Sequence, residues 1–162
     1  VSGNPGGPLV VVPCGRAKAW ARNPDLGPTP ARHAYVGGQF SAARRYAEAQ
    51  SSGWVILSAK YGFIAPDTLI ENYDVAFSKL INGYYRPVEM PGQVSPETLR
   101  AQAEKLAAEH AGREVVCLVA DAYRLKIETA FAGLPVTLSF PIAGKRQHAM
   151  MAWLAAGVRK SG

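Results

Sequence analysis

Cysteine is scarce in this chain. Two in 162 residues, Cys14 and Cys117, cannot frame a domain of this length with disulfides, and neither stands in a CxxC spacing. The expected compartment is therefore a reducing cytoplasm. Long apolar runs are missing too: nothing approaches the roughly 18 residues of a membrane span. The opening VSGNPGGP has neither the basic flank nor the apolar stretch of a secretory leader, so none is expected. The three histidines, His33, His110 and His148, share no metal-ligand spacing, and no metal is expected. There is no Walker A pattern and no GxGxxG, which argues against an NTPase or a dinucleotide enzyme, and no cofactor is expected. No internal repeat is visible. Acidic residues are the minority, 12 against 18 Lys+Arg, which leaves a net charge of +6. That excess suits a polyanionic partner, but it also suits plain solubility.

What remains is rich enough to fold. Hydrophobic residues make up 48% of the chain and charged residues 19%, which excludes a disordered polymer. The length fits one domain. We expect a loose Gly/Pro-rich arm over residues 1–8 and a single α/β domain over 9–162. Short apolar, β-branched runs predict strands buried on both faces at Leu9–Val12, Trp54–Leu57 and Val115–Ala120, with a fourth at Val136–Phe140. Helical periodicity falls between them, over Gln39–Gln50, Pro96–His110, Asp121–Phe131 and Gln147–Val158. Ser95 and Pro96 are placed as N-cap and first helical residue, and Asp121 as an N-cap. This alternation predicts a mainly parallel central sheet in a three-layer α/β/α sandwich. The exception is an irregular insert at about 65–94, of the length that usually carries function and here suggests a lid or substrate-binding element.

Parallel sheets bind ligands beyond the carboxyl ends of their strands. All four predicted strands are followed there by polar or cationic residues. Gly15 and Gly62 let backbone approach a ligand. Arg16, Lys18, Lys60, Lys145 and Arg146 can meet phosphates, with Arg124 on the same edge and His148 as an orienting group or acid. Trp20, Tyr61, Phe63 and Tyr123 can stack on a base. The insert adds Glu71 and Asp74, carboxylates able to stabilise a sugar cation or activate water as a glycosidic bond breaks. Each feature also has a plain structural reading: solvated loop cations, core aromatics, acids in turns or ion pairs. Cys14 ends the first strand where a nucleophile would stand, but no Cys-centred motif surrounds it. Cys117 reads as core.

Two segments carry a resemblance. Val11-Val12-Pro13-Cys14-Gly15-Arg16-Ala17-Lys18 is one. Trp54-Val55-Ile56-Leu57-Ser58-Ala59-Lys60-Tyr61-Gly62-Phe63-Ile64-Ala65-Pro66, running on to Ile70-Glu71-Asn72-Tyr73-Asp74, is the other. Together they resemble small bacterial and phage domains of unknown function. They are also similar to YaaA-type proteins and to the accessory domain of archaeosine synthase, which has its own Pro-Cys motif. These groups resemble the uracil-DNA-glycosylase-like superfamily, a three-layer α/β/α sandwich, and the likeness covers roughly residues 9–145. It implies base chemistry on nucleic acid, with excision of modified bases from phage DNA as one setting. It carries over Cys14, Gly15, Lys18, Ser58, Lys60, Tyr61, Gly62, Tyr73 and Asp74 as site positions. The chain departs from the superfamily in two places. It has no water-activating Gly-Gln-Asp-Pro-Tyr motif and no His-Pro-Ser loop, the nearest analogue of the latter being Ala143–His148.

The leading expectation is a DNA glycosylase that hydrolyses the N-glycosidic bond of a modified base flipped out of DNA. Asp74, Glu71 and Lys60 are its catalytic candidates. Cys14, Gly15, Ser58, Tyr61, Gly62, Phe63, Tyr73 and Tyr123 would hold the base, and Arg16, Lys18, Lys145, Arg146 and His148 the DNA. Two alternatives stand beside it. One is a nucleotide N-glycosidase or base-exchanging transglycosylase acting on free nucleotide or RNA. The other is a DNA-binding stress-response protein without catalysis. No membrane or obligatory protein partner is expected.

Overall fold

A computed structural model describes residues 6–161. Its centre is β1 (Leu9–Pro13), whose β-branched residues suit a strand covered on both sides. β1 pairs in parallel with β3 (Gly53–Ser58) and with β8 (Glu114–Cys117). β8 pairs in parallel with β9 (Thr137–Ser139). β4 (Gly62–Ile64) turns back antiparallel on β3, giving the order β4-β3-β1-β8-β9. All four predicted strands are present, so the α/β class and mainly parallel sheet stand.

Strand alternation sorts the core into two layers. Val10, Val12, Ile56 and Val116 pack with Phe40, Ala43, Ala47 and Leu154, from α2 (Gly38–Gln50) and α5 (Gln147–Ser161). Leu9, Val11, Leu57, Val115 and Cys117 pack on the other side with Leu99, Ala103, Ile127 and Phe131, from α3 (Pro96–Glu109) and α4 (Asp121–Phe131). Burying one such aliphatic side chain stabilises by about 1.5–3 kcal/mol, so a charge on either face of β1 would unfold the domain. Ser95 caps α3 by accepting from Thr98 N at 3.1 Å, with Pro96 in the first turn, as predicted. Asp121 differs from expectation. Ala120 occupies the cap and Asp121 is the first helical residue, where its charge favours the helix dipole without a capping bond.

The region at 65–94 is more ordered than an irregular insert. β5 (Leu69–Ile70) pairs antiparallel with β2 (Thr29–Pro30), which leads into the short α1 (Ala31–Ala34). β6 (Ser78–Ile81) and β7 (Tyr84–Pro87) form a hairpin. Its turn is Asn82-Gly83, both at positive φ, 50° and 83°, the chemistry that two-residue hairpin turns require. Residues 1–5 of the expected arm lie outside the described residues. Pro8 is not loose: its carbonyl accepts from Ser52 N at 2.9 Å.

This connectivity positions the site. The chain leaves β1, crosses through α2 and returns at β3 on one side. It then crosses through α3 on the opposite layer and re-enters at β8, on the far side of β1. Between β1 and β8 the strand order reverses, and their carboxyl ends open the crevice where such sheets take ligands.

Candidate functional site

Cys14 and Tyr123 meet at this crevice. Cys14 follows β1, Tyr123 lies in the first turn of α4, and Cys14 Sγ is 3.2 Å from the Tyr123 hydroxyl. Backbone bonds fix the next residues. Val36 N donates to Ala17 O at 3.0 Å, and Lys18 bridges antiparallel to Tyr35. Lys18 Nζ then sits 4.6 Å from the centre of the Tyr73 ring. Tyr73 arrives from the segment after β5, and its hydroxyl is 2.6 Å from that of Tyr35.

Ser58 closes the network from β3. Its fully buried hydroxyl donates to the Tyr73 hydroxyl at 2.9 Å. It also accepts from the N–H groups of Lys60 (3.2 Å) and Tyr61 (3.1 Å), which shapes the turn into β4. Burying an unsatisfied hydroxyl would cost about 1–3 kcal/mol, and here every bond capacity of Ser58 is used. Tyr61 meets the Tyr73 ring edge-on at 5.6 Å and accepts from Glu71 N at 3.3 Å.

The electrostatics follow from burial. Burial pushes the phenols of Tyr35, Tyr73 and Tyr123 well above the ordinary tyrosine range, and the Cys14 neighbour pushes the same way. All three remain neutral hydroxyls at any physiological pH. Half-burial lowers the Lys18 pKa from its ordinary value. Cys14 and then Asp74 oppose that shift, and Arg16 adds to it. The site thus offers one softened ammonium, one thiol, neutral hydroxyl donors and aromatic faces, with Asp74 as the carboxylate that Lys18 senses. Among the described residues no group of His, Cys, Asp or Glu could hold a metal ion.

The predicted residues fall into three sets. Cys14, Lys18, Ser58, Tyr61, Tyr73 and Tyr123 come together, with Asp74 exposed beside them. Gly15 follows Cys14, and a Cβ there would make only ordinary contact with Phe40, at 3.9 Å. A rim forms the second set. Lys60 is exposed over the Tyr61 ring at 5.2 Å. Arg16 donates to Ser78 O at 3.1 Å and lies 4.8 Å from the Tyr85 ring centre. Glu71 is exposed and reaches Tyr61 through its backbone.

The third set lies elsewhere. Phe63 is a correction: it is buried on the α3–α4 side, 5.5 Å from the Phe131 ring, where its face packs in the core and is not offered to a base. Gly62, at φ +80°, abuts the Gln102 side chain of α3. Arg124 pairs with Glu128 and covers Phe140, so it leaves the rim. Trp20 is core, its indole N–H donating to Leu26 O at 2.8 Å. Lys145 lines a separate cleft of about 290 Å³ beyond β8 and β9, with Gln39, Asp121 and Ile142. Arg146 and His148 are exposed at the start of α5 and do not line it. A cleft of about 470 Å³ lies at the opposite end of the strands, against Leu9, Gly53, Trp54 and His110, remote from this chemistry.

Sequence reasoning missed Tyr35, Gln39 and Gln102. Tyr35 reaches the site only through the bridge to Lys18, and no local pattern announces it. Gln39 opens α2 behind Gly37-Gly38, a turn signal that marks the helix but not the cleft. Gln102 lies inside α3, accepting from Phe63 N at 2.8 Å and donating to Tyr61 O at 3.1 Å, so that it pins the β3–β4 turn.

The family described as "Family of unknown function (DUF6884)" matches residues 9–156. The uncharacterized protein YfjM of Bacillus subtilis (strain 168) is 49% identical over 70 residues, which are 43% of this chain and 47% of that protein. No solved structure matches.

Proposed function

The chain belongs to that family of unknown function, and from the crevice itself we propose that it is a DNA glycosylase-like enzyme that hydrolyses the N-glycosidic bond of a modified base. One observation carries this reading. At the strand-order reversal of a mainly parallel sheet, five segments bring together Cys14, Lys18, the Ser58–Tyr73–Tyr35 hydroxyls and Tyr123. Helices on both faces of the sheet are compatible with the uracil-DNA-glycosylase-like sandwich that the sequence resembles.

The roles follow from the chemistry of each group. The base leaves the stack and its edge meets the partly exposed Tyr123 hydroxyl and Cys14 thiol, with Tyr61 offering a ring face. Lys18 and Arg16 attract the flanking phosphates. The C1′–N bond lengthens with its electron pair going to the base, and Asp74 faces the resulting sugar cation. Water then adds to C1′, and its proton ends on the departing base. Excision of modified phage bases is the setting this reading favours.

The test is to incubate the full chain with DNAs carrying natural and hypermodified bases, then heat with alkali and assay free base by mass spectrometry. We expect alkali-labile sites and free base on at least one substrate. Asp74→Asn should lower the rate by about a hundredfold or more. Absence of both products on every DNA, or release only from free nucleotides, overturns the reading.

A further inference from the structure

The β6–β7 hairpin exposes what folded proteins hide. Leu80, Ile81, Tyr84 and Tyr85 are 55%, 38%, 70% and 61% exposed. Its sequence SKLINGYYRP contains no acid, and Lys79 lies directly opposite Arg86, a like-charge cross-strand pair. A two-stranded hairpin is marginal in water, and facing like charges weaken it further. A surface that alternates flat aromatic faces with regularly spaced negative charge relieves both penalties.

The geometry roots this hairpin beside the crevice. Strand alternation puts Leu80 and Tyr85 on one side of the hairpin and Lys79, Ile81, Tyr84 and Arg86 on the other. Tyr85 is the side that Arg16 covers, and Arg16 follows Cys14 by two residues. The root is held rigidly. Phe77 is buried against Tyr123 at 5.1 Å, and Val88 N closes on Phe77 O at 2.9 Å. The arm is thus anchored on the very tyrosine that touches Cys14, with the Asn82-Gly83 turn and its Ile81–Tyr84 pair projecting outward.

We propose that this hairpin is an arm for duplex DNA: the Ile81–Tyr84 tip enters the base stack beside the target nucleotide, while Lys79 and Arg86 lie on the flanking phosphates. The proposal rests on the glycosylase reading and deepens it. An apolar wedge between base steps unstacks them and kinks the duplex, which offsets part of the unstacking cost of extruding the neighbouring base.

The experiment uses the full chain and a short fluorescent duplex carrying 2-aminopurine, with binding followed from low to high salt. The doubly substituted tip, Ile81→Ser with Tyr84→Ser, should weaken binding about tenfold or more and abolish the 2-aminopurine signal, with the salt slope unchanged. Tyr84→Phe should retain both. Lys79→Gln with Arg86→Gln should flatten the salt slope by about 2. Equal melting temperatures establish that the variants are folded. The arm is overturned if wild type binds no duplex, if all variants bind like wild type, or if the tip instead mediates self-association seen by sedimentation. Base release with unaffected variants would sink the arm and leave the glycosylase reading. Hairpin-dependent binding with no base released from any DNA would do the reverse.

Discussion

At the scale of single residues, the two cysteines divide sharply. Cys117 is fully buried in β8, and burial drives its thiol far above the ordinary range. Cys14 is half-exposed at the crevice. A thiolate-selective reagent should therefore modify one thiol in the native protein and two in denaturant. Two equally fast native thiols would contradict the packing of β8. The site residues that could be read in the sequence share one property: they stand at or soon after the carboxyl end of an apolar strand run, as Cys14, Ser58 and Tyr123 do, or close an acidic-aromatic run, as Tyr73 does. Tyr35 was illegible because its place depends on a single backbone bridge between segments that neither periodicity nor spacing connects. Phe63 was misplaced for a related reason. The chain reverses at Gly62, so Phe63 pairs with Leu57 and takes that residue's face of the sheet.

At the scale of elements, the β3–β4 turn holds the site together. Ser58 ties its inside, Gln102 ties its outside, and Gly62 supplies a backbone conformation that other residues reach with strain. A Cβ at Gly62 would also collide with the Gln102 side chain. Gly62→Ala combines left-handed strain with the loss of two bonds to Gln102, and should destabilise by about 2–4 kcal/mol. Chemical denaturation measures this directly, and a change below experimental error would remove the turn from the account. Long helices and buried strands were legible to within a few residues, because burial imposes a period on them. The β6–β7 hairpin was not, since both of its faces are wet and no apolar alternation marks it. Its one local signal, Asn82-Gly83 between Leu80-Ile81 and Tyr84-Tyr85, was present in the sequence.

At the scale of the molecule, the domain and its arm are separable. Phe77 and Val88 already join at the root of the hairpin, so a short Gly-Ser link in place of 78–87 should keep the fold. A melting temperature within a few degrees of the parent is expected, whereas a collapse would mean that the hairpin belongs to the core. The net charge of +6 also looks different once the side chains are placed. Arg16 and Lys18 belong to the crevice, while Arg44, Arg100 and Arg124 pair with acids along their own helices. The central position of β1 has a consequence for how the chain is made. Its thiol end is synthesised early, yet the hydroxyl that meets the thiol, that of Tyr123, lies 109 positions on. Contacts of that separation close late in folding. A nascent or truncated chain therefore holds no assembled crevice, and the whole sheet must be in place before the molecule can engage anything there.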